Sequence, residues 1–161
     1  MNRYGLAGSV AAGTAVADHL TKWWVVHSVR PGFRSIPVIP GFFDLRYAEN
    51  TGSAFGMFRG FSGLLTLIGV GALVFVGWLL HRNPHARRRS VVALGLILGG
   101  AIGNVVDRMM RGYVVDFVDW YVGSFHWPAF NIADAALVVG VFMILIWPEK
   151  APAAAEPSSQ R

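Results

Sequence analysis

VVALGLILGGAIGNVVDR, residues 91–108, decides the fold. An apolar run from Val91 to Val106 is broken only by Asn104, and Asp107 and Arg108 close it. At 1.5 Å per residue the run is about 24 Å long, close to the hydrocarbon thickness of a bilayer. All its polar residues lie at one end. A carboxylate in hydrocarbon costs about 2.5 to 3.5 kcal/mol on insertion scales, so charges kept there point to a site.

Three other apolar segments extend the pattern. The first, about 4–26, carries Asp18 and Lys22 late; the second, about 61–80, is apolar throughout; the fourth, about 130–147, opens with Asn131 and Asp134. Spans that cross a membrane alternate in direction. The end of the first, the end of the third and the start of the fourth therefore face one side, with Asp116 and Asp119 in the loop there. The expected fold is an all-α membrane protein with four transmembrane helices, 91–106 being the third, and a small β-rich extracytoplasmic platform. The platform is drawn from about 30–60 and 109–129. Ile36, Val38 and Ile39, interrupted by Pro37 and Pro40, read as short extended pieces, and Phe42 to Tyr47 alternates as a strand. Residues 1–148 make one membrane-embedded domain, and the Ala/Pro/Ser-rich 149–161 reads as a disordered cytoplasmic tail. A rival reading makes Arg3 to Ala17 a signal peptide, with Ala15-Val16-Ala17 as the cleavage site. Against it, hydrophobicity resumes at Trp23-Trp24-Val25-Val26, and the Trp pair suits an interface anchor.

Composition agrees. The chain is 54% hydrophobic and 14% charged, where a soluble domain carries about 25% charged residues. There is no cysteine, which excludes a thiol nucleophile, a disulfide and a thiolate metal site. The net charge of +5 reads as arginine facing anionic phospholipid rather than as nucleic-acid binding. The side holding Arg3, the 81–89 turn and the tail has seven of the fourteen basic residues, so raw counts are even. Density decides: four Arg lie between Arg82 and Arg89, tight against two spans. That turn and both termini are placed inside and the polar cluster outside.

The polar residues fall into groups. Asp18 and Lys22, four apart, share a helical face as an ion pair. Asn104, Asp107 and Arg108 lie within one turn, and Gly99, Gly100 and Gly103 before them allow close helix approach. Asp107 beside Arg108 reads as a structural charge pair, with Arg108 also able to snorkel or to meet a phosphate. Asn131 fits N-terminal capping; Asp134 fits it less well. Asp116 and Asp119 lie in an alternating amphipathic stretch, and either could pair with Asp134. Two adjacent carboxylates share a proton, one acting as base and the other as acid, and such a pair activates water against an amide without metal or cofactor. The histidines lack metalloprotease spacing, and no Gly-x-Ser-x-Gly or phosphate loop is present. The rival class is a small four-helix proton-coupled transporter, disfavoured because the acids sit at one surface rather than at the midplane.

The blocks DHLTKW (18–23), NTGSAFG (50–56), GGAIGNVVDR (99–108), VVDF (114–117) and FNIAD (130–134) together resemble the signature of bacterial lipoprotein signal peptidase, or signal peptidase II. The resemblance implies an aspartic endopeptidase of the cytoplasmic membrane that removes the signal peptide of prolipoproteins just before a diacylglyceryl-modified cysteine. It maps the catalytic pair onto Asp116 and Asp134, and supporting positions onto Asp18, Lys22, Asn50, Gly52, Asn104, Asp107, Arg108 and Asn131. Asp119 has no role in that pattern. No metal or cofactor is implied, and a monomer is expected. The glycine-bearing stretch Gly52 to Gly60, with Phe55, Met57 and Phe58, is expected to form a lid.

Overall fold

The computed structural model describes residues 2–32, 35–52 and 61–148. Helix α1 spans Arg3–Ser28 and starts at Asn2, whose side chain accepts from the Gly5 N–H at 2.7 Å. Ala15-Val16-Ala17 lies inside this unbroken helix. A short 3-10 turn, Arg30–Gly32, leads to the hairpin β1 (Ile36–Ile39) and β2 (Phe43–Asn50). Helices α2 (Ser62–Arg82) and α3 (Arg88–Arg111) follow, then β3 (Val114–Val122), β4 (Phe125–His126) and α4 (Ile132–Ile146).

Helix α3 is the centre and packs against each of the other three. Its glycines permit this. A Cβ on Gly99 would lie 2.6 Å from the Ala11 carbonyl oxygen of α1, and one on Gly100 would strike the Ala133 carbonyl of α4. The partners also give helix directions. Ala7, Ala11 and Asp18 meet Gly95, Gly99 and Gly103 in rising order, so α1 and α3 run the same way. On α4, Ala133 meets Gly100 and Gly140 meets Ala93, so α4 runs opposite. Gly69 of α2 meets Val105 while Val76 and Leu80 cluster with Val91, Leu94 and Ile97, so α2 also runs opposite. Two helices, Ser62–Arg82 and Arg88–Arg111, are long and apolar enough to cross a membrane, and Ile132–Ile146 is a shorter apolar helix. Leu67, Val74 and Phe75 of α2 are exposed on the outside of the helices.

The strands form one antiparallel sheet in chain order, β1-β2-β3-β4. A second core, of Val25, Val29, Val115 and Phe117, fixes it to the end of α1. The expected small sheet is therefore present. Helix α3 continues to Arg111 and ends at Gly112, whose φ of +80° suits the left-handed residue after a helix. Asn104, Asp107 and Arg108 thus fall in the last two turns of α3, which runs a few residues past the window that hydropathy marks because charged ends extend a helix.

Candidate active site

Asp116 and Asp119 stand three apart on β3 and so point to opposite faces. Asp116 turns toward the helices. It accepts from Asn50 Nδ2 at 2.9 Å and from Asn131 Nδ2 at 2.6 Å. Asp119 turns the other way, to Arg46 and His126. The expected amphipathic stretch is instead buried over Val114 to Phe117. The end of α1 covers one face of it, and Asn131 approaches Asp116 from the helix side.

Asn131 caps α4. Its side chain accepts from the Asp134 N–H at 2.9 Å, while the Asp134 carboxylate accepts from the Asn131 N–H at 3.4 Å. Asp134, which the sequence fits poorly to capping, is thus the reciprocal partner in a capping box. Its other oxygen accepts from Asn104 Nδ2 at 2.7 Å. Asn131 also reaches Asn104 Oδ1 at 3.3 Å, so Asp116, Asn131, Asn104 and Asp134 form one hydrogen-bonded group drawn from three elements.

Lys22 secures this group from below. Its Nζ lies 2.7 Å from Asp18, 2.9 Å from Asp107 and 3.3 Å from Asn104 Oδ1, with Lys22 and Asp18 each 1% exposed. The expected i,i+4 pair is therefore two members of a triad. Asp18 also accepts from the Ala133 N–H at 2.9 Å, holding the first turn of α4. Asp107 accepts from the Val115 N–H and pairs with Arg111. This corrects the expected Asp107–Arg108 pair: successive helical residues diverge by about 100°, so they cannot share a face. Arg108 instead donates to the carbonyls of Gly52 at 3.2 Å and Asn104 at 3.4 Å. Gly52 in turn donates its N–H to Asn50 Oδ1 at 3.0 Å.

A cavity of about 770 Å³ opens above Asp134, with Asn50, Asn104 and Arg108 at its polar end and Ile68 and Val138 along its apolar length. Trp120, Trp127 and Phe130 form one wall. The sequence reading missed this wall; exposed tryptophans flanking the VVDF block were the available signal. The expected lid lies outside the described residues beyond Gly52. Burial in this setting, together with the Asp134 charge beside it, pushes Asp116 up to about 7, although Asn50 and Asn131 pull the other way. A carboxyl there holds a proton near neutral pH beside a second carboxyl. That is the equipment of an acid–base pair able to activate water.

The fold and the relatives it matches together define a class: a membrane-embedded bacterial peptidase of the aspartic type. The family model described as signal peptidase (SPase) II matches residues 10–148. A lipoprotein signal peptidase of Maridesulfovibrio salexigens is 40% identical over 91% of this chain and 96% of its own. One of Xylella fastidiosa is 42% identical over 79% of this chain and 78% of its own. A solved structure, described as a bacterial membrane enzyme, superposes with a TM-score of 0.80 at 30% identity, over 88% of this chain and 86% of that one. The chain belongs to the signal peptidase II family. It is a peptide hydrolase, and the transporter reading finds no support among these relatives.

Proposed function

We propose that Asp116 and Asp134 are the catalytic pair with which this peptidase removes the signal peptide of prolipoproteins, cutting just before the diacylglyceryl-modified cysteine. The observation that carries the reading is the single hydrogen-bonded group that joins the two carboxyls at the end of an apolar cavity. The pair shares one proton. The ionised carboxyl takes a proton from water as the water oxygen bonds to the scissile carbonyl carbon. The protonated carboxyl gives its proton to the carbonyl oxygen. As the tetrahedral intermediate collapses and the C–N bond breaks, one of its hydroxyls returns a proton to the now ionised carboxyl. The leaving nitrogen takes the proton held by the other carboxyl, which restores the single shared proton.

Asn50, Asn104 and Asn131 hold the carboxyls in place, and Lys22 with Asp18 and Asp107 fixes the helix ends that carry them. Arg108, which donates to the Gly52 carbonyl, stands at the polar end of the cavity, beside the path of the chain to be cut. The reading includes four crossings. The parallel run of α1 with α3, and the opposite run of α2 and α4, support it. It also sets both termini in the cytoplasm, the sheet and pair at the outer face, and a monomer in contact with phospholipid. Arginines gathered between Arg82 and Arg89 support that orientation. An outer site suits a substrate whose acyl chains stay in the leaflet.

The test is gel-shift cleavage of a purified diacylglyceryl prolipoprotein in detergent with EDTA. Asp116→Asn and Asp134→Asn are expected to lose turnover by at least about 10³-fold, the scale of removing an acid–base group plus its charge. Asp119→Asn is expected to retain kcat. Turnover that persists in either of the first two, in folded protein, overturns the assignment.

A further inference from the structure

Asp119 is 3% exposed yet belongs to none of the machinery above. Its carboxylate takes the Nδ1 atom of His126 on β4 at 3.0 and 3.1 Å, and lies 3.2 Å from Arg46 Nε on β2. Three strands are thus tied at one buried anion. A second tie runs beside it: the Tyr121 ring stacks on His126 at 4.9 Å, and its hydroxyl donates to Asp44 at 3.0 Å.

The other face of the same strands is the cavity wall. Trp120 follows Asp119 on β3, so strand alternation turns it away from the tie, and Trp127 stands just past the end of β4. Both line the cavity, as do Pro128 and Phe130. The segment from His126 to Phe130 is held to β3 at its two ends. Trp127 N–H donates to the Trp120 carbonyl at 2.8 Å, and Phe130 exchanges bonds with Val118 at 2.9 and 3.2 Å. β4 itself has only two residues, Phe125–His126. Its own strand pairing covers only two residue pairs, and the His126–Asp119 bond adds a side-chain tie at that point of the wall. A charge-assisted hydrogen bond to a buried carboxylate is about twice as strong as a neutral one.

We propose that Asp119, through His126 and Arg46, is a positioning residue that sets the Trp127–Phe130 wall against the substrate chain. This rests on the reading that the cavity above Asp134 receives the substrate. Breaking the tie lets the wall move, which weakens binding and leaves the chemistry at Asp116 and Asp134 unchanged.

The experiment is steady-state cleavage of the diacylglyceryl prolipoprotein by the full-length enzyme in detergent, comparing wild type, Asp119→Asn, His126→Ala, the double variant and Trp127→Ala. Each of the first two variants is expected to raise KM about fivefold with kcat within about twofold. The double variant is expected to be no worse than Asp119→Asn alone, because that variant already weakens the His126 bond along with the Arg46 pair. Trp127→Ala is expected to raise KM at least as much. His126→Gln, which keeps a donor, is expected to restore most of the affinity, which a purely structural loss would not permit. Where Asp119→Asn fails to fold, the His126 variants carry the test. KM unchanged in the His126 variants, additive effects in the double variant, or a fall in kcat in place of a rise in KM overturns the proposal. Unchanged KM in Trp127→Ala alone overturns the cavity reading instead, and turnover in Asp116→Asn overturns the catalytic pair.

Discussion

Asp116 and Asp119 differ by three positions on one strand, and that parity separates their chemistry. Asp116 meets two asparagine amides and a second carboxyl; Asp119 meets an arginine and a histidine. The sequence alone left either free to pair with Asp134, because an alternating stretch does not say which face meets the helices. The family resemblance chose Asp116, and the strand direction supplies the physical reason. The environment of Asp116 also predicts a pH profile. Its carboxyl is raised to about 7, so it keeps its proton below that pH and loses it above. A pair that needs one shared proton then loses activity as pH rises through about 7. The Asn50 amide donates to the ionised form and so holds the value down. Removing it in Asn50→Ala is expected to move the alkaline limb of kcat upward by about one pH unit, the equivalent of one hydrogen bond of about 1.4 kcal/mol. A limb that stays in place or moves down contradicts this account of Asp116.

At the scale of elements, the spacing between helices decides whether the two carboxyls meet. Gly100 leaves room for the first turn of α4, which carries Asp134 immediately after Ala133. Gly100→Val puts a branched side chain against the Ala133 backbone. The expected result is a loss of about 1 to 3 kcal/mol of stability, the usual cost of overpacking, together with loss of cleavage as Asp134 is pushed out of line. The matched control is Gly77→Ala on α2, where a Cβ meets nothing within 4 Å. Replacing a helix glycine there is expected to leave cleavage unchanged and to stabilise by up to about 1 kcal/mol. Thermal unfolding in detergent and the cleavage assay read both; equal effects from the two variants would refute the role of close approach. Much of this was legible in the sequence, since GGAIGN announces a tight helix interface and DHLTK an i,i+4 pair. The third partner of Lys22 was not. Asp107 comes from a helix 85 positions further on, and its choice of Lys22 over the adjacent Arg108 follows from helix geometry that only the packed pair displays. The aromatic wall was hidden for a similar reason: Trp120 and Trp127 come together through a two-residue strand with no periodic pattern of its own.

For the whole molecule, the remaining question is which side of the membrane holds the pair. Apolar runs gave the helices and their polar ends gave the site, but neither carries an absolute direction. The arginines between Arg82 and Arg89 do so through the tendency of basic residues to remain in the cytoplasm. They flank the turn between α2 and α3, Arg82 closing α2 and Arg88 and Arg89 opening α3, at the end of α3 remote from Asn104. The sheet and Asp116 lie at the opposite end, where α3 finishes at Arg111. One turn inside therefore requires the other outside. The absence of cysteine makes the test direct, because any introduced thiol is the only one in the chain. Ser124 lies in the exposed turn between β3 and β4, and His85 in the exposed turn between α2 and α3. In intact cells a membrane-impermeant maleimide is expected to label Ser124→Cys and to leave His85→Cys unlabelled until the membrane is opened. Both variants should retain cleavage, since neither position touches the hydrogen-bonded group. The reverse pattern would place the catalytic pair on the cytoplasmic face, where a prolipoprotein anchored in the outer leaflet cannot reach it. Labelling of both positions in intact cells would mean that the chain does not seal the two turns on opposite sides, and the four-crossing arrangement would fall with it.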